Sequence, residues 1–289
     1  MSGGYVANNV VYQKIPGGIY LPENPTFDLK QIMDSGQCFR IRETNGVYSV
    51  VTGTHFVRIG RPRRGGYLFY DCSEDDFQHI WIPYFDLFTN YEEYQQKMVK
   101  DSFLAEAIQH YGGIRILCQD PWEMIVSFVI SQRNNIPRIR NCVERLCKRY
   151  GSLIAWESEE YPIFSFPTPD QLRGKDLSDL GLGYRAKYIE DLAYYNNEAA
   201  WLCMKDVCSA DEIKEILLRQ KGIGEKVANC IMLFGYHHMD SYPRDVWINR
   251  MIEDVYQGSF DPQEYKGFAG YVQQLQFAYY RSLQGEVKK

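Results

Sequence analysis

The sequence predicts an α+β protein, in which an N-terminal domain built on an antiparallel β-sheet precedes an all-helical region. Short runs of β-branched and aromatic residues between glycine turns occur only in the first third of the chain. From residue 117 onwards, the apolar residues follow helical spacing. We place the boundary just after Tyr111-Gly-Gly113, which gives a mixed, β-rich domain over 1–116 and a helical region over 117–289. The 289 residues are enough for two such domains.

The N-terminal domain is predicted from its strand pattern. Residues 47–51, 54–59 and 67–70 are strand-like runs bounded by turns that contain glycine. Residues 27–33 and 92–110 have the composition of a short and a longer helix. Together they indicate a sheet with helices packed against it.

The helical region is predicted from capping signals and apolar spacing. Asp120-Pro121 is a favourable pair for the N-cap and first turn of a helix. Residues 122–130 are apolar on most faces, which favours a buried helix. Residues 138–150 place apolar side chains on one face and basic side chains on the other, as an amphipathic helix does.

A helix–hairpin–helix is predicted around the two glycines of the run Gln220-Lys-Gly-Ile-Gly-Glu-Lys226. Ser209-Ala-Asp-Glu212 is a capping box that begins the first helix. Gly222 and Gly224 permit a sharp turn that residues with a Cβ resist. The second helix then begins with exposed N–H groups, which favour a bound phosphate.

Lys226 and Asp245 follow this hairpin at a spacing that resembles the helix–hairpin–helix DNA glycosylases, and specifically those that also cleave at abasic sites. The alternative is a hairpin that only grips backbone phosphate, with Lys226 as a phosphate contact and Asp245 as a helix N-cap. Asp245 could serve as both cap and catalytic group. The combination of glycine hairpin, lysine and acid favours an enzyme.

Five motifs in the same order resemble one branch of that superfamily, the 8-oxoguanine DNA glycosylases. They are Ser35-Gly-Gln-Cys-Phe-Arg40, Ser131-Gln-Arg-Asn-Asn-Ile-Pro-Arg138, Leu180-Gly-Leu-Gly-Tyr-Arg-Ala-Lys-Tyr188, the hairpin with Asp245, and Ala269-Gly-Tyr-Val-Gln273 with Phe277. The resemblance spans nearly the whole chain. It implies a helical core of two lobes and favours a bacterial member of the family.

The chemistry of the family accounts for the catalytic pair. A lysine attacks the sugar C1′ atom only as the neutral amine, and both a helix N-terminus and burial disfavour the cation at Lys226. The resulting Schiff base makes the 2′ proton acidic enough for β-elimination of the 3′ phosphate. The resemblance implies that Asp245 stabilises positive charge that develops on the sugar.

The resemblance also implies a pocket for the flipped base, formed by Gly36, Cys230, Gln273 and Phe277. Phe277 and Cys230 would sandwich the base, and Gln273 would bond its Watson–Crick edge. The Gly36 carbonyl would accept from N7–H of 8-oxoguanine and repel the N7 lone pair of guanine. Taken without the family, Gly36 would be a turn glycine and Phe277 a core aromatic residue.

The family's contacts to the gap in the duplex and to the partner base fall on six positions here: Arg133, Asn134, Asn135, Arg138, Tyr184 and Arg185. The chain departs from the eukaryotic pattern at Arg133, which replaces the first of three consecutive asparagines. Because of Arg133, we expect a relaxed preference for cytosine. Trp247 stands where those relatives carry a histidine that contacts phosphate, so we do not expect that contact here.

The charge of the chain is a mild argument against nucleic acid, because it is −5 with a pI near 5.6. Two basic clusters oppose that argument. One contains Arg58, Arg61, Arg63 and Arg64, and the other spans 133–149. A solvated face is the simpler interpretation of the first cluster.

The eight cysteines form no C-x-x-C pair and predict no metal site. The last is Cys230, so the four-cysteine iron–sulfur cluster that some superfamily members carry after the aspartate is excluded here. We expect no cofactor. No signal peptide or membrane-spanning stretch is present, which predicts a cytoplasmic protein, associated with the nucleoid if prokaryotic.

We therefore expect a monomer that acts on double-stranded DNA containing 8-oxoguanine, and that is both a DNA N-glycosylase and an abasic-site lyase. A second hypothesis keeps this mechanism but takes another oxidised base, such as a pyrimidine. A third is a non-catalytic DNA-binding module. Borohydride trapping separates the third hypothesis from the others, because only a Schiff base is reduced to a covalent complex.

Overall fold

The N-terminal part of the molecule is a seven-stranded sheet in which every pair of neighbours is antiparallel. The structure, a computed structural model, describes residues 5–7, 10–195 and 198–285. The strands, in the spatial order β1-β2-β3-β7-β6-β5-β4, are β1 (Tyr5–Ala7), β2 (Val10–Ile15), β3 (Gly18–Leu21), β4 (Ile41–Thr44), β5 (Val47–Thr52), β6 (His55–Gly60) and β7 (Tyr67–Tyr70). The predicted strands at 47–51, 54–59 and 67–70 are confirmed as β5, β6 and β7.

One face of the sheet forms a hydrophobic core with short helices. Cross-strand partners such as Ile59 and Phe69, or Val50 and Val57, are buried on this face. This core is covered by α1 (Leu29–Asp34), a π-helical turn at Phe77–Trp81 and α3 (Ile82–Tyr84). The short helix α2 (Glu74–Asp76) precedes the π-helical turn and has no buried residue. Asp28 begins α1 by accepting a hydrogen bond from the N–H of Gln31, at 2.9 Å.

The remainder of the described chain is helical apart from one hairpin of two strands, β8 (Leu153–Ser158) and β9 (Tyr161–Phe164). Its helices are α4 (Tyr91–Met98), α5 (Ser102–Tyr111), α6 (Pro121–Ser131), α7 (Ile136–Tyr150), α8 (Pro169–Leu172), α9 (Arg185–Tyr195), α10 (Glu198–Val207), α11 (Ala210–Leu218), α12 (Glu225–Phe234), α13 (Val246–Tyr256) and α14 (Ala269–Leu283). The predicted helices at 122–130 and 138–150 are confirmed as α6 and α7.

The helices form two lobes. Helix α6 is apolar on most faces and is almost wholly buried, with α7, α9, α10 and α12 packed around it. Helix α14 is the centre of the other lobe, where α5 and α13 pack on it. Trp122 of α6 and Tyr271 of α14 are both fully buried. The fold is therefore the predicted sheet domain followed by a two-lobed helical core.

The hydrophobic cores divide near residue 90 and not at the predicted domain boundary of 116. Tyr91, Leu104 and Ala107 of α4 and α5 are buried in the helical core, because these helices pack on α14. The single helix predicted over 92–110 is also interrupted. Asp101 accepts a hydrogen bond from the N–H of Leu104, at 3.0 Å, and so begins a second helix.

Two crossing segments join the sheet to the helical core. The Gln37 side chain donates to the carbonyl of Arg115 and accepts from the N–H of Leu117, both at 2.8 Å. Leu117 is buried in the core of the sheet, whereas Phe39 is buried in the core of the helices. Each segment thus contributes a side chain to the core of the other.

A buried ion pair lies beside these crossing segments. The Arg40 guanidinium is 3.8 Å from the carboxylate of Glu123 on α6, and both side chains are almost inaccessible to solvent. Burial raises the pKa of Glu123 to about 7, against the opposing effect of Arg40. The pair further ties the turn that carries Gly36 to the helical core.

No helix in the described part of the chain has the length and apolar character needed to cross a membrane.

Candidate active site

The helix–hairpin–helix is formed by α11, the turn Gln220–Gly224 and α12. The Ser209–Glu212 capping box is present in both directions, as the sequence predicts. Gly222 has φ +84°, and a Cβ there would lie 2.5 Å from the Tyr188 ring. Gly222 is therefore required both by its backbone conformation and by the close contact with Tyr188.

Gly224 differs from the prediction that both glycines are needed for a sharp turn. Its backbone is extended, and no atom lies within 4 Å of a Cβ built there. Gly224 is the N-cap of α12 and supplies no side chain to its first N–H groups. Because no side chain caps them, the first N–H groups of α12 are free to bind a ligand.

Lys226 lies in the first turn of α12 and is half-buried. Its ammonium group is 5.7 Å from the centroid of the Phe128 ring on α6. It also lies beside Cys230, one turn further along the same face. Burial raises the pKa of the Cys230 thiol, and nearby Lys226 opposes that effect. The lysine is thus held against the wall of the site by an aromatic ring and a neutral thiol.

Asp245 is the N-cap of α13. One of its carboxylate oxygens accepts a hydrogen bond from the N–H of Ile248, at 2.9 Å. The side chain is half-buried and borders the same cavity as Lys226. The helix-cap interpretation is confirmed, and the cap fixes the carboxylate at the edge of the cavity.

A single cavity of about 50 Å³ brings the predicted catalytic pair and base pocket together. The six predicted residues that line it are Gly36, Lys226, Cys230, Asp245, Gln273 and Phe277. Sequence reasoning did not identify the remaining lining residues, which are Ser35, Phe128, Phe234, Pro243 and Gln274. The two lobes and the sheet-side turn all contribute, so the site lies where they meet.

The turn at Gly36 follows α1 and is in the left-handed region, with φ +81°. A Cβ at this position would lie in ordinary contact distance of Ile136 and Phe277, at 3.5 and 3.7 Å. Glycine is therefore needed for its backbone conformation more than for space. Gln37, through its bonds to the 115–117 segment, holds this turn against the helical core.

Two residues of α14 that were predicted to contact the base occupy the opposite wall. Gln273 is buried, and Phe277 is half-buried with the guanidinium of Arg281 at 5.0 Å from its ring centroid. The intervening turn of helix places both side chains on the cavity side, as their four-residue spacing predicts.

The cavity opens into a wider mouth of about 580 Å³. Asn134, Asn135 and Trp247 line this mouth together with Lys226 and Asp245. Trp247 has the Arg250 guanidinium over its ring, at 5.3 Å. The inner cavity is far smaller than a typical ligand site of roughly 300–1,000 Å³, so a base enters only if the pocket widens.

Three loops next to the mouth are joined by hydrogen bonds. Gln132, after α6, donates to the carbonyl of Gly222 in the hairpin at 2.7 Å. Arg138 donates to the carbonyl of Gly181 at 3.5 Å. Asn135 begins α7 by accepting from the N–H of Arg138, at 3.0 Å. The motifs at 131–138, 181–185 and 220–224, distant in sequence, thus form one edge of the molecule.

Arg133 and Tyr184 are exposed on this edge, as are Asn135 and Arg138. Arg133 has φ +47°, in the left-handed region that a residue with a long side chain seldom adopts. Tyr184 is 52% exposed and packs edge-on to Tyr188. Asn134, half-buried, turns inward and donates to the carbonyl of Ile130 at 3.1 Å.

Arg185 is buried, which differs from the exposed position expected of a contact to the partner base. It donates to the carbonyl of Gln132 at 2.9 Å, of Leu182 at 3.1 Å and of Arg133 at 3.3 Å. A guanidinium has five donors in a planar fork and can hold several carbonyls together. In this structure Arg185 supports the backbone at Arg133.

The two basic clusters are paired to different extents. In the first, Arg61 is 2.8 Å from Glu23, Arg58 is 3.4 Å from Asp71, and Arg64 stacks on Tyr20. This supports the interpretation of a solvated face. In the second, Arg145 and Arg149 both contact Asp179. The equally exposed Arg133, Arg138 and Lys148 form no ion pair with another described residue. Only part of the second cluster is therefore available to phosphate.

No three His, Cys, Asp or Glu side chains come together as a metal site within residues 5–7, 10–195 and 198–285.

The chain is similar in sequence and in fold to known proteins. Residues 19–125 match the family model described as the 8-oxoguanine DNA glycosylase, N-terminal domain. An N-glycosylase/DNA lyase from Saccharomyces cerevisiae is 36% identical over 212 residues. That match covers 68% of this chain and 56% of the yeast protein, so the chain spans little more than half of that relative.

Two solved structures share the whole architecture. MBOgg1, described in complex with a low-affinity DNA ligand, is 32% identical with a TM-score of 0.86, covering 94% of this chain and 98% of that one. The 8-oxoguanine glycosylase/lyase of Clostridium acetobutylicum, in complex with double-stranded DNA that has cytosine opposite 8-oxoguanine, is 29% identical with a TM-score of 0.85. It covers 94% of this chain and 98% of its own.

Proposed function

The chain belongs to the 8-oxoguanine DNA glycosylase family, and we propose that it is a bifunctional DNA repair enzyme. It excises 8-oxoguanine from duplex DNA and then cleaves the strand at the abasic site by β-elimination. The observation that carries this proposal is the single cavity shared by Lys226, Asp245 and the four base-pocket residues. A module that only grips phosphate has no use for a lysine and an acid that line the same cavity as these four residues.

Lys226 is the nucleophile in this proposal. Its neutral amine attacks C1′ of the damaged nucleotide, and the base departs with the electron pair of the glycosidic bond. Opening of the sugar ring gives a Schiff base between Lys226 and C1′. Loss of a 2′ proton then expels the 3′ phosphate. The position of Lys226 in the first turn of α12, against the Phe128 ring, supports this role.

Asp245 stabilises the positive charge that develops on the sugar as the base leaves. A carboxylate does this well when it is already fixed in place, because no reorganisation is needed during the reaction. The hydrogen bond from the N–H of Ile248 provides that fixation. The helix cap and the catalytic role are thus served by the same side chain.

The damaged base lies between Phe277 and Cys230, with Gln273 on its Watson–Crick edge. The carbonyl of Gly36 accepts a hydrogen bond from N7–H of 8-oxoguanine, whereas guanine would bring a lone pair to that oxygen. The left-handed turn at Gly36, held by Gln37, supports this arrangement. Base entry requires the pocket to widen, most simply by movement of the half-buried Phe277.

The partner of the enzyme is double-stranded DNA that contains 8-oxoguanine, bound along the edge formed by the three joined loops. The exposed N–H groups at the start of α12 donate hydrogen bonds to a backbone phosphate. Arg133, Asn134, Asn135, Arg138 and Tyr184 fill the gap in the duplex and meet the partner base, and Arg185 supports them from beneath. We also propose that the protein acts as a monomer, in the cytoplasm, and at the nucleoid if it is prokaryotic. A bacterial origin stays a prediction, since similar proteins come from both a yeast and Clostridium acetobutylicum.

The deciding experiment is borohydride trapping on matched duplexes. The protein is mixed with DNA that carries 8-oxoguanine, an oxidised pyrimidine or no lesion, in the presence of borohydride. We expect a covalent complex with the first duplex and strand cleavage without borohydride. Trapping only on the pyrimidine duplex would show that the substrate is an oxidised pyrimidine and that the lysine mechanism holds. If no duplex gives a trapped complex, the proposed enzymatic activity is rejected.

A further inference from the structure

Two neighbouring glutamines of α14 line the cavity, and only Gln273 was predicted to do so. Gln274 is also 4% exposed and borders the cavity beside Gln273. Its Nε2 donates to Oε1 of Gln273, at 2.9 Å. Its own Oε1 is buried and finds no hydrogen-bond donor in the part of the chain that the structure describes.

An unpaired buried carbonyl oxygen is costly, and most such oxygens in folded proteins have a partner. The other buried glutamine of this stretch, Gln276, shows the usual outcome. Its Oε1 accepts from the Tyr242 hydroxyl at 2.6 Å, and its Nε2 donates to the Tyr256 hydroxyl at 3.4 Å. The unpaired oxygen of Gln274 thus stands out because it belongs to the side chain that borders the site.

The hydrogen bond between the two glutamines also fixes what Gln273 presents. The oxygen and nitrogen of a primary amide lie in one plane and point away from each other. Because Oε1 of Gln273 is held by Gln274, its Nε2 is directed away from Gln274. The pair therefore offers a donor on Gln273 and an unpaired acceptor on Gln274.

We propose that Gln274 is a second specificity-determining residue, whose Oε1 accepts a hydrogen bond from the 2-amino group of the damaged base. The inference rests on the proposed glycosylase function and specifies its substrate as a purine with a guanine-type Watson–Crick edge. That edge carries a carbonyl acceptor, which matches the donor of Gln273, and adjacent N–H donors, which match the acceptor of Gln274. A base without the 2-amino group leaves the Gln274 oxygen unpaired in a closed site.

The test compares single-turnover excision of 8-oxoguanine with that of 8-oxohypoxanthine, which lacks only the 2-amino group. We expect the native enzyme to favour 8-oxoguanine by about tenfold or more, as for other buried unpaired acceptors. Gln274→Met keeps the volume but removes both polar ends, and should bring the ratio of the two rates close to one. Gln274→Glu keeps an acceptor and should retain part of the preference.

Gln276→Met is the matched control, because it removes a buried amide from the same helix outside the cavity. It should alter stability or the overall rate while leaving the ratio as in the native enzyme. Thermal unfolding of every variant shows whether it folds. If Gln274→Met or, should that variant not fold, Gln274→Leu slows both substrates equally and keeps the native ratio, Gln274 has only a structural role. A native enzyme that excises both bases equally also overturns the inference, whereas one that excises neither overturns the proposed function itself.

Discussion

The pocket proposed for the damaged base is made of side chains from packed helices and one turn held by hydrogen bonds. The surface proposed to meet the partner base is made of exposed loop residues. Gln273, Gln274 and Cys230 are buried. Arg133 and Tyr184 face solvent on two loops. The loops are joined because the Arg185 side chain donates hydrogen bonds to backbone carbonyls. The two regions lie on either side of one mouth but differ in how firmly their contact groups are fixed.

This difference indicates where discrimination is strong. A buried acceptor or donor that is left unpaired carries its full desolvation cost, so a pocket of fixed polar groups rejects a wrong base strongly. A flexible exposed arginine can find an acceptor on any partner base, so it discriminates weakly. We expect strict recognition of the damaged base and relaxed recognition of its partner.

The largest expected effect is in the pocket, at Lys226. Lys226→Gln should bind the damaged duplex but give no borohydride-trapped complex, and excision should fall by roughly three orders of magnitude or more, because the nucleophile is lost. Lys221→Gln is the matched control, since Lys221 is an exposed lysine of the same hairpin outside the cavity. Full trapping by Lys226→Gln would show that another amine forms the Schiff base.

Asp245 should come next. Asp245→Asn should lower the single-turnover rate by about 10²–10³-fold with little change in affinity, because asparagine still caps a helix but carries no charge. Asp245→Ala should lower the single-turnover rate by the same factor. It should also lower the free energy of unfolding by roughly 1 kcal/mol, because the helix cap is lost. Rates, affinities and thermal unfolding of both variants separate the two roles. If Asp245→Asn loses mainly affinity or stability, Asp245 acts only as a helix cap.

Arg133 tests the looser side of the comparison. Arginine only donates, so it cannot accept from N4 of cytosine, and native excision opposite the other three bases should be penalised less than in an asparagine-bearing relative. Arg133→Asn should sharpen the preference for cytosine by about 1–3 kcal/mol. The measurement is single-turnover excision of 8-oxoguanine opposite each of the four bases. Strict cytosine specificity in the native protein, or an unchanged ranking in the variant, would exclude Arg133 as the determinant.

The smallest expected effect is on salt dependence. Binding should weaken steeply as salt rises, despite the net charge of −5, because exposed basic groups meet phosphates. Arg138→Ala should reduce the slope of log affinity against log salt by about one. Arg61→Ala should leave the slope unchanged, since Arg61 is paired with Glu23 on the sheet side. Equal slopes for all three proteins would mean that Arg138 contacts no phosphate.

The elements with strong local signals were predictable from the sequence. Capping residues and regular apolar spacing mark α6, α7 and α11, and the strands β5 to β7 lie between glycine turns. The hairpin of β8 and β9 was not predicted, because Glu157, Glu159 and Glu160 interrupt any alternation of apolar residues. It forms through tertiary contacts, among them the 3.5 Å ion pair between Arg42 and Glu157.

The candidate site divides in the same way. Motif spacing picked out six residues that line the cavity, but not the groups whose position depends on burial. Arg185 belongs to a motif whose residues were predicted to contact the partner base. It is buried because backbone carbonyls of two loops converge on its guanidinium. Gln274 adjoins a predicted residue, and only the packing of α14 shows that both amides border the cavity.

The crossing of the segments at 37–40 and 115–117 bears on folding cooperativity. Phe39 is buried among the helices and Leu117 among the strands. Unfolding of either core would therefore remove a buried side chain from the other and leave a cavity there. The proposed catalytic pair, Lys226 and Asp245, belongs to the helical core, whereas the Gly36 turn belongs to the sheet domain. Removal of the N-terminal sheet would therefore not yield a smaller lyase with its selectivity intact, because the group proposed to distinguish the lesion would leave with it.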